Sequence, residues 1–194
     1  MMLAKSNFLN FRIFDYNTKY ANIEFLVLCV VSFSIPFLLS HPQLLVGSVV
    51  NALLFRASLS MDFKKSLPII FLPSVAAYLG GVLFGGATSF LLYFIPVIWL
   101  SNASYVYFNK LLSHRLFSGS KFLRFGLNII LSSGLKSLIL FVFAFLAVTF
   151  FSFPPLFLTV MGLFQFLTAI IGGFSAYFMT LGENKVLKNI NKQN

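Results

Sequence analysis

The chain has 194 residues, 59% of them hydrophobic and only 9% charged, with 27 phenylalanines and a formal net charge of +10. A water-facing surface needs about a quarter of its residues charged, so most of this surface must face something other than water. One cysteine, Cys29, leaves no material for an intrachain disulfide or for a thiolate cluster around zinc or iron–sulfur.

Residues 1–20 are polar and of mixed charge, with Lys5, Arg12, Asp15 and Lys19. An apolar run follows from near Glu24 to about Ser40. Small residues are scarce where a signal peptidase would cut, so the run reads as a retained first helix. His41 and Pro42 break it, and a second helix runs from about Gln43 to Ser60 with Gly47, Asn51 and Arg56 inside. Residues 61–66 read as a short polar loop, and a third helix starts around Pro68 and ends near Phe84. Residues 85–88 form a tight turn. The fourth helix covers about Ser89 to Lys110, with a local interruption at Pro96. After a polar segment at 111–124, a fifth apolar run at 125–153 must end at Pro154 and Pro155. The sixth continues to about Leu181, and a basic tail carries Lys185, Lys188 and Lys192. The expected fold is an all-α integral membrane protein of six transmembrane helices. Its parts are an N-terminal segment at 1–20, a helical domain at 21–182 and a tail at 183–194.

The charges test that count. Of the 14 Lys and Arg, all but Arg56 and Lys136 fall in the N-terminal segment, the 61–66 and 110–124 segments and the tail. The alternate connections at 41–43, 85–88 and 153–155 hold none. Segregation of this kind is the positive-inside pattern, and it puts both termini in the cytoplasm. It also removes the nucleic-acid reading of the net charge, because the cations are spread over membrane-flanking segments and form no single patch.

Catalysis is hard to assemble from this chain. The acidic residues are Asp15, Glu24, Asp62 and Glu183, and the histidines His41 and His114 fall on opposite sides of the membrane. They make no carboxylate pair, no metal spacing and no nucleophile with its base, so neither an enzyme nor a cofactor is expected.

Polar residues inside lipid say more, because each one left unsatisfied there costs free energy. Trp99, Asn102, Val106 and Asn109 share a stripe on the fourth helix, and Trp99 at depth needs a partner for its N–H. Asn51 lies about 12 Å into the second helix, and Gln165 sits on the sixth among small residues. Asn51, Trp99, Asn102 and Gln165 are the candidate substrate-binding set, converging on a small cavity in the outer half. Hydrogen bonding between helices is the competing role for each. A second set, Glu24, Arg56 and Lys136, brings charge into the membrane, and Glu24 is the expected counter-ion of Arg56 or of Lys136. Lys136 falls either near the inner boundary or about 16 Å deep, since its run is longer than one span needs. Ala77, Gly81 and Gly85, and on the sixth helix Ala169, Gly172, Gly173 and Ala176, mark faces where helices approach closely.

The blocks at 47–55, 72–74, 81–86 and 93–102, ending in Pro96-Val97-Ile98-Trp99-Leu100-Ser101-Asn102, resemble a group of small prokaryotic membrane proteins. That group is in turn similar to the substrate-binding S components of energy-coupling factor (ECF) transporters. The likeness covers about residues 44–110. Members of the group sometimes carry an iron hydrogenase label, which a chain with one cysteine contradicts. The resemblance implies a six-helix S component that captures a vitamin or metal-related small molecule from outside. It would work with a transmembrane T component and two ABC-type ATPases on the cytoplasmic side of the cell membrane. Ala77, Gly81 and Gly85 would then be counterparts of the small-residue motif that docks the T component. No vitamin-specific signature is present. The alternative is a non-transporting scaffold or assembly protein acting through helix–helix contacts in the lipid.

Overall fold

The structure, a computed structural model, describes residue 9 and residues 18–39, 42–84, 90–115 and 121–193. Most of the N-terminal segment, His41, Gly85 and the expected turn at 85–88 lie outside the described residues.

Lipid offers the backbone no hydrogen-bond partner, so an apolar run that crosses it must bond within itself. The outcome is α1 at Thr18–Leu38, α2 at Gln43–Ser60 and α3 at Phe63–Phe84. Then come α4 at Leu91–Arg115 and α5 at Lys121–Phe151. The last helix, α6, covers 156–193 in three stretches: a turn at Leu156–Leu158, a π-helical segment at Thr159–Phe164, and Gln165–Gln193. Six helices are long and apolar enough to cross a membrane, the architecture of a multi-pass membrane protein.

The helices outrun their apolar cores, and this corrects several expected boundaries. α3 begins at Phe63, not near Pro68, so Lys64 and Lys65 lie on its first turn and not in a loop. Only Met61 and Asp62 separate it from α2. The Met61 N–H closes α2 on the Ala57 carbonyl at 3.1 Å, and the Asp62 carbonyl receives the Ser66 N–H at 3.1 Å. Long basic side chains tolerate such a place because their stems lie along apolar surface while the charge reaches outward. α4 extends to Arg115, α5 starts at Lys121, and α6 continues through Gln193, well past Leu181. Pro96 does not interrupt α4; it is exposed, in the second turn of a continuous helix. α5 ends before the two prolines. Ser152 adopts a left-handed backbone with φ 55°, and the next N–H, of Phe153, reaches back to the Ala147 carbonyl at 3.4 Å.

Bonds between helices fix their alternating directions. At one end, Arg56 late in α2 meets Glu24 early in α1 and Glu183 on α6. At the same end, Lys110 late in α4 donates to the Met61 carbonyl, and Asn128 early in α5 donates to the Asn109 carbonyl. This basic end carries Lys64, Lys65 and Lys110. The opposite end is aromatic. Phe90 stands edge-on to Phe153 at 4.8 Å, and Phe94 stacks on Phe157 at 5.1 Å.

α2 is the central helix, touching α1, α3, α4 and α6, while α1 packs chiefly on α3. Small residues set the closest approaches. A Cβ on Gly172 would overlap the backbone of Ser48 and Ala52, and Gly47 faces the Thr168 side chain, so α2 and α6 meet backbone to backbone. Gly80 meets the Phe37 backbone of α1 in the same way. Of the expected partner-docking face, Ala77 is half-buried and Gly81 buried within this chain. One apolar cluster, around Leu54, Phe55, Ile70 and Val106, fills the basic half. A second, around Phe94, Leu140, Ala144 and Met161, fills the aromatic end.

Candidate functional site

Asn51 is the hub of the interior. Its position on the central helix, one turn from Gly47, turns its amide toward α5 and α6, and it is 1% exposed. Its Nδ2 donates to the Gly47 carbonyl at 2.9 Å and to Thr168 Oγ1 at 3.1 Å. Its Oδ1 accepts from Lys136 Nζ at 2.5 Å. The Thr168 hydroxyl donates in turn to the Gln165 carbonyl at 3.2 Å. Each donor the hub offers is thus matched to an acceptor on another helix or one turn back.

Lys136 is the 16th of the 31 residues of α5, about 22 Å from either end at 1.5 Å per residue. The structure therefore places it at mid-bundle, which the long apolar run had left open. It is 2% exposed. Among the described residues its one hydrogen bond goes to the neutral Asn51 oxygen, and its ammonium lies 5.5 Å from the centre of the Tyr105 ring. Glu24, expected to pair with either Arg56 or Lys136, pairs with Arg56.

Below Lys136, toward the basic end, a polar seam follows the α4–α5 contact. The Tyr105 hydroxyl donates to the Ala169 carbonyl at 3.1 Å. Beside that hydroxyl lie the side chains of Asn109 and Ser133. Both residues are fully buried, and among the described residues neither the Asn109 amide nor the Ser133 hydroxyl makes a well-formed hydrogen bond. Asn128 continues the seam, donating to Ser113 Oγ at 2.9 Å and accepting from Ser132 at 3.1 Å.

The four residues of the expected binding set divide. Trp99 and Asn102 do share a face, and that face meets α3. Trp99 Nε1 donates to Ser74 Oγ at 2.8 Å and to the Phe71 carbonyl at 3.3 Å, and Asn102 Nδ2 donates to the Ile70 carbonyl at 3.1 Å. Asn51 faces α5 and α6 instead. Gln165 joins the Asn51 group through its backbone carbonyl. Tyr105, Ser133 and Thr168 were missed as candidates because hydroxyls are ordinary in membrane helices; only the neighbouring Asn and Lys marked their height in the bundle.

At the basic end Arg56 bridges three helices. Its Nε meets Glu24 Oε1 at 2.6 Å, and its Nη1 meets Glu183 Oε2 at 2.7 Å and Thr180 Oγ1 at 3.2 Å. This cluster closes one end of a groove of about 1120 Å³ between α1, α2 and α6, walled by Leu28, Val49, Ala52, Leu53, Ala176 and Met179. Glu183 was missed as a partner because the apolar run ends near Leu181, while the helix does not.

Comparison of the chain with protein-family models, with curated proteins and with solved structures finds no match in any of the three.

Proposed function

We propose that this chain is the substrate-capture subunit of a membrane uptake system, acting as the S components of ECF transporters do and taking one small molecule from the outer face. The observation that carries the proposal is Lys136, buried at mid-bundle against Asn51 and Tyr105 with no carboxylate beside it among the described residues. Insertion of a lysine at a helix centre costs about 2.5–3.5 kcal/mol, and a bundle that only has to pack gains nothing from it. Polar groups convergent in an apolar interior are the usual make-up of a small-molecule site. In this reading the basic end faces the cytoplasm, as the distribution of Lys and Arg requires. A T component and ABC-type ATPases then bind from that side of the cell membrane. Extraction in mild detergent tests it: a T component and an ATPase pair co-purify, and mass spectrometry finds a retained small molecule. A preparation with neither refutes the proposal.

A second reading, a membrane scaffold, is favoured by the groove. Ser48, Ala52, Ser175 and Ala176 give it a floor of small residues that admits the helix of a partner protein. Recovery of another membrane protein, with no ATPase and no small molecule, selects this reading.

A further inference from the structure

We infer that the molecule captured in the bundle interior is a monoanion, a small carboxylate-bearing compound whose charge is received by Lys136. The inference rests on the capture reading and names the substrate class for it. The chain's own charges point to it first. Both carboxylates described near the membrane interior, Glu24 and Glu183, are engaged by Arg56 at the basic end, so among the described residues Lys136 faces only neutral groups. An ammonium in lipid is stable only against an opposite charge or a full set of acceptors, and Asn51 Oδ1 is a single neutral acceptor.

The second observation is independent of charge. Asn109 and Ser133, fully buried on the same α4–α5 seam, have amide and hydroxyl groups with no well-formed hydrogen bond among the described residues. Ser133 precedes Lys136 by three residues and shares its helix face, and Asn109 is one turn from Tyr105, over whose ring the ammonium lies. Buried polar groups in folded proteins are almost always satisfied, and unsatisfied ones mark places where something else binds. Together these groups offer a carboxylate what it needs. Lys136 Nζ, Ser133 Oγ and Asn109 Nδ2 donate, and Asn109 Oδ1 is left to accept from a donor elsewhere on the same molecule. A dianion such as a phosphate monoester is disfavoured, because one lysine leaves half of its charge uncompensated in a low dielectric.

The probe is acetate, small enough to enter a tight interior, with neutral acetamide as its control. Thermal unfolding of the full chain in detergent should show a saturable rise of about 5 °C at a hundredfold excess of acetate over its Kd, and none with acetamide. Lys136→Met should lose the response. Asn51→Asp is the second variant: it sets a carboxylate beside Lys136, raises the melting temperature without ligand, and abolishes the acetate response. Equal responses to acetate and acetamide, or an acetate response surviving in Asn51→Asp, overturn the inference. Mass spectrometry of the protein as extracted separates this failure from that of the capture reading. A retained molecule lacking an anionic group overturns the monoanion and leaves capture standing. No retained molecule together with no acetate response removes both.

Discussion

Replacing Asn51 by Leu and Lys136 by Met, singly and together, isolates the contact at the centre of the bundle. Asn51→Leu removes the one acceptor that the ammonium has among the described residues and the donor to Thr168 Oγ1. A hydrogen bond to a charged group contributes about 1.5–3 kcal/mol and a neutral one about 1 kcal/mol, so the variant should lose about 3–4 kcal/mol. Lys136→Met leaves Asn51 Oδ1 buried without its donor, a cost of about 1–3 kcal/mol, and removes a cation whose burial costs about 2.5–3.5 kcal/mol. Its net effect should therefore run from a loss of about 0.5 kcal/mol to a gain of about 2.5 kcal/mol. The double variant replaces both polar groups with apolar ones of similar size and should be at least as stable as Lys136→Met alone. The coupling between the two positions then comes to at least about 3 kcal/mol, the whole cost of Asn51→Leu. Neutral hydrogen bonds between membrane helices average about 0.6 kcal/mol in such cycles, so a charged contact in a buried site should stand clearly above them. Reversible unfolding by SDS titration in mixed micelles measures all four proteins. A coupling of about 0.6 kcal/mol or less would show that Asn51 is not what holds Lys136 in place, and the interior site would lose its hub.

Gly172→Ala should destabilise by about 1–3 kcal/mol, because its Cβ would overlap the Ser48 and Ala52 backbone, whereas Gly134→Ala, with nothing within 4 Å, should stabilise by about 0.5–1 kcal/mol through helix propensity. The same SDS titration reads both, and equal effects would mean that α2 and α6 are not in backbone contact. Glu24→Gln should cost more than Glu183→Gln, since the Glu24 side chain is 17% exposed and Glu183 47%; about 2 kcal/mol against less than about 1 kcal/mol is expected at low salt. The reverse order would show that Glu183 is the principal partner of Arg56. Trp99→Phe and Asn102→Leu should each cost about 1 kcal/mol by releasing a bond from α4 to α3, and Trp99 fluorescence in Asn102→Leu should stay close to that of the parent protein. A loss of folding in either variant would assign the α3–α4 contact far more weight than two hydrogen bonds carry.

The six helices were legible because hydropathy reports what lipid demands, and lipid demands continuous internal hydrogen bonding. Their ends were not, because a helix can continue into the interfacial region as long as its side chains reach water. Lys64 and Lys65 read as loop residues and lie on the first turn of α3. Glu183 read as tail and stands on α6 within reach of Arg56. Pro96 read as a break, yet an exposed proline in the second turn removes one bond without stopping the helix.

For the interior, residue type and spacing identified which positions are under constraint but not what constrains them. The three-residue spacing of Trp99 and Asn102 puts them on one face of α4; it does not fix the rotation of that face toward α3 rather than toward α2 or α5. That rotation follows from the order of the helices around α2. The order depends in part on glycines such as Gly172 and Gly80, whose partners lie more than a hundred residues or about forty residues away in sequence. Lys136 shows the same thing from the other side. A long apolar run left its depth open, and a single bond to Asn51, itself held close to α6 by Gly172, brings it to mid-bundle. A polar residue in an apolar helix can therefore be recognised locally, but whether it joins two helices or lines a site is decided by backbone contacts elsewhere. Asn102 Nδ2 has a carbonyl of α3 opposite it; Asn109, two turns further along the same helix, lies beside the Tyr105 hydroxyl with no well-formed hydrogen bond on its amide among the described residues. Two asparagines alike in sequence context thus differ in what they leave open, and the difference comes from the helix that each one meets.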